Sequence, residues 1–262
     1  MDRSEEAWLT PWKAHKPRPG PKPNLSPLGT PPEAPPSKKK AVSHGSGQIQ
    51  ILSATSPGST KVVDKDSQTS LHNAARAGSV DNEGADVKAV DKDGQTALHD
   101  AARAGSDNTI CRLISRGANV NAVNKDGRTA LHDAARAGSE YSVFLLINGG
   151  ADVNAVDKHG RTALYDAARA GSKEIIFLLI SEGADVNAVD KDGRTTLHDV
   201  ARAGSKDTVY QLISKGADVE AVDKDGRTAL HDAARAGLGY TVLLLTGNGA
   251  DVNAFEIGRA HV

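Results

Sequence analysis

The chain has 262 residues, 38% hydrophobic, 25% charged and only 3% aromatic, enough for one large domain or two modest ones with cores built from Ala, Val, Ile and Leu. A formal net charge of −1 supplies no overall basic field for dedicated nucleic-acid binding, and the single cysteine, Cys111, excludes an intramolecular disulfide or a cysteine-built zinc site. Apolar runs such as residues 175–180 fall far short of the ~20 that span a bilayer, and the polar, acidic first ten residues carry no secretory signal.

All eleven prolines lie at or before Pro57, together with both tryptophans, Trp8 and Trp12. Through Lys61 there are nine Lys/Arg against four Asp/Glu. Such a stretch buries too little apolar surface to offset its ordering entropy, so residues 1–61 are expected to form a disordered, basic, proline-rich tail with polyproline II character at 17–23 and 31–36. Its motifs are weak. Pro32 and Pro35 make a minimal PxxP without a well-placed arginine, and Trp8 and Trp12 are four apart, as an anchoring face would be. Lys38, Lys39 and Lys40 suit a solvated linker as well as nuclear import. The whole reads as an intracellular protein, cytoplasmic, with the nucleus as the other option.

Beyond the tail the chain repeats itself. Gly94, Gly127, Gly160, Gly193 and Gly226 open near-identical phrases at a constant 33-residue spacing, the mark of stacked supersecondary units. Within a unit, Asp-Lys-Asp-Gly is turn chemistry. Thr96, Thr129, Thr162, Thr195 and Thr228 stand where a helix begins and can cap it. Leu98, Ala101 and Ala102 then fall at i, i+3 and i+4, a slim apolar face that lets helices approach closely. Gly105 and its equivalents stop this helix. A second helix richer in bulky aliphatics follows, as at 174–181, before Gly183 ends it and 184–188 leads extended into the next turn.

The phrase D-G-x-T-x-L-H-x-A-A, at 93–102, 126–135 and 225–234, and the closing G-A-D-V-N-A, at 183–188 and 249–254, resemble the ankyrin repeat. The resemblance covers roughly 63–254. It implies an all-α solenoid over 62–254, about six helix–turn–helix units with β-hairpin fingers, first helices lining a concave groove and second helices behind them. The sequence departs from the family pattern in several places. Ala97, Ala130, Ala163, Thr196 and Ala229 replace the usual proline, and Gly-Ser pairs such as Gly105-Ser106 replace Gly-His. Gly78 and Gly84 are six residues apart where Gly105 and Gly117 are twelve apart, so the first unit lacks most of its second helix and is expected to stack poorly. Residues 255–262 read as the start of a further repeat ending in Ile257-Gly258-Arg259-Ala260-His261-Val262, which one frame of a common sequencing adapter encodes. The native chain is therefore expected to continue.

In arrays of this kind the fingertips and the exposed side of the first helices usually read the partner. Here these are Lys92, Asp93, Gln95 and Arg103 in the second unit, and Lys125, Asp126, Arg128 and Arg136 in the third. The fourth gives Lys158, His159, Arg161 and Arg169, and the fifth Lys191, Asp192, Arg194 and Arg202. The sixth gives Lys224, Asp225, Arg227 and Arg235. The positions are nearly identical between units, as recent duplication would leave them or as a periodic, charged partner would require.

Candidate chemistry is thin. His72, His99, His132, His198 and His231 form a column, but neighbours one helix apart, about 10 Å, cannot share a metal, and Tyr165 interrupts the series. Asp100, Asp133, Asp166, Asp199 and Asp232 lie three residues before the helical arginines and read as a solvated ladder worth about 0.2–0.5 kcal/mol per pair. Cys111, beside Ile110, Leu113 and Ile114, reads as a buried small hydrophobe. No phosphate-binding glycine loop or nucleophile elbow is present in the sequence. The expectation is a non-enzymatic scaffold or adaptor that binds protein, with no cofactor, metal, nucleic acid, membrane or small-molecule ligand. The alternative is the recognition segment of a larger ligase, kinase or ADP-ribosyltransferase.

Overall fold

The computed structural model describes residues 70–78 and 85–253. The expectations for a tail over 1–61 and a broken-off repeat over 255–262 fall outside the described residues.

Eleven helices are described, in two rows. The inner row is α1 (Ser70–Arg76), α2 (Ala97–Ala104), α4 (Ala130–Ala137), α6 (Ala163–Ala170), α8 (Thr196–Ala203) and α10 (Ala229–Arg235). The outer row is α3 (Asp107–Ser115), α5 (Glu140–Asn148), α7 (Lys173–Ser181), α9 (Lys206–Ser214) and α11 (Gly239–Gly247). Successive inner helices pack on one another from α1 to α10, and each inner helix from α2 onward packs on the outer helix that follows it. Sequence dictates the division of labour. The inner helices bury mostly alanine around one leucine, as with Ala97, Leu98, Ala101 and Ala102 in α2, so their backbones approach closely. The outer helices bury larger groups, such as Ile175, Ile176 and Leu179 in α7. Both rows share one continuous apolar core.

The helix ends follow the local chemistry. Thr96 holds an extended conformation at the start of α2, and the N3 residue His99 accepts its amide at 3.2 Å on Nδ1. Gly105 closes the helix in the left-handed region, at φ 63°, and Ser106 N–H reaches back to Ala101 O at 2.9 Å. The fingers are tight turns rather than the β-hairpins expected. Among the described residues pairing is limited to isolated bridges, Val90 with Thr96 and Val189 with Thr195. The finger amides have other partners. Asp91 Oδ1 accepts from the amides of Asp93 and Gln95, each at 2.9 Å, and Lys125 N–H donates to Asp93 O of the preceding finger at 2.9 Å. Asn124, Asp157, Asp190 and Asp223 repeat the first device.

A second seam runs through the turns that follow the outer helices. Asn121 donates to Gly150 O at 2.9 Å and accepts from Asp152 N–H at 2.8 Å; Asn154 and Asn187 do the same one and two repeats on. The closing V-N-A asparagine is thus an inter-repeat hook.

The first unit corrects an expectation. Its inner helix stacks in full register: Leu71 and Ala75 are buried, His72 Nε2–H donates to Gln95 O at 2.9 Å, and Arg76 pairs with Asp100 at 3.0 Å. The histidine bond spans 23 residues here and 29 elsewhere, so the six-residue shortening is absorbed without disturbing the stack. Among the described residues no helix stands between α1 and α2, and residues 79–84 lie outside them.

Candidate partner-binding surface

The fingertips project as expected. Lys92, Asp93, Lys125, Asp126, Lys158, His159, Lys191, Asp192, Lys224 and Asp225 are all exposed. Their charges largely cancel along the row, since Lys125, Lys158 and Lys224 pair with Asp93, Asp126 and Asp192 of the preceding finger at 3.8, 2.5 and 3.7 Å. The hydrogen bond from Lys158, then its charge, holds the Asp126 carboxyl below its usual range. In so exposed a setting these pairs contribute little to stability.

The finger arginines behave differently from the fingertip lysines. The Arg128 side chain is 13% exposed and lies among three carboxylates, Asp133 at 3.4 Å, Asp157 at 3.9 Å and Asp166 at 3.0 Å. Arg194 repeats this with Asp199, Asp223 and Asp232 at 3.3, 3.7 and 2.9 Å. These side chains tie neighbouring units together. Arg161 approaches Asp190 only to 3.7 Å and stacks on the Tyr165 ring at 4.7 Å; Arg227 pairs with Asp223 at 3.2 Å and with Asp225.

The aspartates are likewise not a solvated ladder. Asp100, Asp133, Asp166 and Asp232 are buried, each beneath a basic side chain from the preceding repeat: Arg76 on Asp100, Arg103 on Asp133, Arg128 on Asp166, Arg194 on Asp232. Asp199 is half-buried and pairs within its own repeat. Burial pushes the Asp166 carboxyl above its ordinary range, more than the Arg128 charge pulls it down. Burial also opposes the Arg128 charge, but Asp166 and Asp133 together outweigh it and leave the guanidinium pKa raised.

One consequence decides the character of the inner-helix face. Because preceding repeats occupy the aspartates, several helix arginines are released to solvent. Arg103 pairs with Asp133 at 3.1 Å and with Asp100 at 3.6 Å, and Arg202 with Asp199 at 3.1 Å, each side chain remaining largely exposed. Arg136, Arg169 and Arg235 are exposed and make no ion pair among the described residues.

The histidine column is structural. Nε2 of His99, His132 and His198 donates to the carbonyls of Arg128, Arg161 and Arg227 at 2.9, 3.0 and 3.0 Å, while Nδ1 accepts the Thr96, Thr129 and Thr195 amides. Both bonds require the neutral Nε2–H tautomer. Burial holds the His99 and His132 pKa values below the ordinary range of a histidine, against the opposing pull of the carbonyl bond and of Asp133 and Asp100 for His99, and of Asp166 and Asp157 for His132. Arg103 and Arg128 add to the lowering. The unfolded chain takes up protons at these sites as pH falls through about 6.5 and the folded chain does not, so their contribution is intact above that range and is lost below it. Urea midpoints should therefore fall between pH 7.5 and 5.5, and His99→Gln plus His132→Gln should flatten that slope; an unchanged slope would show that other groups set it.

Cys111 is exposed, contrary to expectation, since α3 buries Thr109, Ile110 and Leu113 and turns the next position outward. Among the described residues no group of three or more His, Cys, Asp or Glu could hold a metal, and no helix is long and apolar enough to cross a membrane.

A family model described as ankyrin repeats matches the chain three times, over residues 39–124, 108–190 and 165–256. No curated protein matches it.

Proposed function

From the premise that the chain belongs to the ankyrin-repeat family, whose repeats generally mediate protein–protein interaction, we propose that this array is a non-enzymatic adaptor that holds an acidic, extended segment of a partner protein along its inner helices. The observation that carries this is the row of exposed arginines: Arg136, Arg169 and Arg235, which make no ion pair among the described residues, and Arg103 and Arg202, which stay exposed while paired. Equivalent positions recur at one-repeat intervals, so an extended polyanionic chain meets a guanidinium at each step. The fingertips, with lysines and acids cancelling, add polar contact and little net charge.

The test uses the full chain and a fluorescein-labelled 13-residue oligoglutamate, followed by anisotropy. Binding should weaken as salt rises, because the contacts are exposed and screened. Arg136→Ala, Arg169→Ala and Arg235→Ala together should weaken it about tenfold, with each exposed contact worth roughly 0.2–1 kcal/mol. Absence of binding at low salt, or a triple variant that binds like the parent, would remove the reading.

A further inference from the structure

The concave face is nearly the same at every repeat, so an acidic segment bound only by the arginine row could slide by one unit at no cost. One junction breaks that degeneracy. Between the fourth and fifth repeats Tyr165 stands where the other units have histidine, and it makes no bond to a carbonyl of the next repeat. Arg161 stacks on its ring instead of reaching the next inner helix, as Arg128 reaches Asp166 and Arg194 reaches Asp232. Asp199, left without that tie, turns to Arg194 and Arg202 of its own repeat. On α8, Val200 replaces the alanine found at Ala101, Ala134, Ala167 and Ala233, and it is buried. The result is looser packing of α6 on α8 than of any other successive inner pair, and a crevice of about 50 Å³ between them. Tyr165, Ala168 and Arg169 line one side, Asp199, Val200 and Ala203 the other. Arg169 and Ala203 are exposed and mark its open rim. A water occupies roughly 10–15 Å³ on this measure, so the space suits one small aliphatic side chain.

We infer that Tyr165 is a specificity-determining residue: the crevice it opens accepts a single small aliphatic side chain of the acidic segment, and Arg169 at the rim takes a neighbouring carboxylate, which fixes the register of the partner on an otherwise periodic groove. This rests on the acidic-segment reading above. The partner is therefore an acidic stretch interrupted by one residue such as valine.

Two labelled 13-residue peptides test it on the full chain, one oligoglutamate with a central Val and one with a central Gly. The Val peptide should bind at least about tenfold more tightly, the worth of burying a valine side chain. Tyr165→His, which copies the sibling repeats, should bring the two affinities within twofold and leave the Gly peptide unchanged. Ala203→Leu, which fills the crevice from its rim and leaves Tyr165 in place, should do the same. Equal affinities for the unaltered chain, or a preference that survives both substitutions, would overturn the assignment. If neither peptide binds, the groove reading fails and this one with it.

Discussion

Arg128→Ala is expected to lower the stability of the array by about 3–5 kcal/mol, the range for removing one partner from a buried ionic cluster. Its guanidinium is the common counter-charge of Asp133, Asp157 and Asp166, whose side chains are 7%, 6% and 6% exposed. Removing it leaves three carboxylates from two repeats facing one another in a poorly solvated seam. The deficit should narrow as pH is lowered from 7 towards about 5, because burial already holds the Asp166 carboxyl above its ordinary range and loss of the positive charge raises it further, so protonation relieves the repulsion. Arg103→Ala is the control. That side chain is 49% exposed in its pair with Asp133, and its loss should cost at most about 1 kcal/mol. Urea midpoints followed by far-ultraviolet circular dichroism measure both. Equal losses would mean that the cluster around Arg128 is no more than a surface ion pair.

The contrast also shows what a repeat sequence conceals. The 33-residue period, the threonine caps and the stopping glycines located the helices from α2 to α11, since each depends on side chains a few positions apart. Ion-pair partners do not. Within one unit Asp133 and Arg136 look like a helical pair; in the stack Asp133 meets Arg103 and Arg128, and Arg128 reaches Asp166, 38 positions on. The arginine after four of the five finger glycines (Arg128, Arg161, Arg194 and Arg227), each followed by a helical aspartate, was the available signal. Cys111 misled for another reason. Its equivalents one, two, three and four repeats on are Phe144, Phe177, Tyr210 and Leu243, and of these Phe177, Tyr210 and Leu243 are exposed. Apolar character at that position therefore does not report burial. The α1 stack was missed because a shortened unit looks defective when judged by its missing helix, whereas the contacts that matter, through His72 and Arg76, come from the helix it retains.

Gly127→Ala should cost about 2–3 kcal/mol and Gly226→Ala only about 1 kcal/mol, although both glycines occupy the same finger position and nearly the same conformation, φ +73° and +72°. The shared part is the penalty for an L-residue in the left-handed region. The difference lies in what the new methyl group meets. At Gly127 an added Cβ would stand 3.0 Å from Lys158 N and 3.2 Å from Asp157 C, the backbone of the next finger. That backbone is itself held by the 2.7 Å bond from Lys158 N–H to Asp126 O. Neither atom is the free end of a flexible side chain, so relief requires the two fingers to part and that bond to lengthen. At Gly226 nothing lies within 4 Å, and no described finger follows. Hydrogen exchange makes the distinction local: Gly127→Ala should deprotect the Lys158 amide beyond the global loss of stability, while Gly226→Ala should leave it at the global value. Equal costs for the two substitutions would show that the fingers are not mechanically linked, and that the inner helices alone set their spacing.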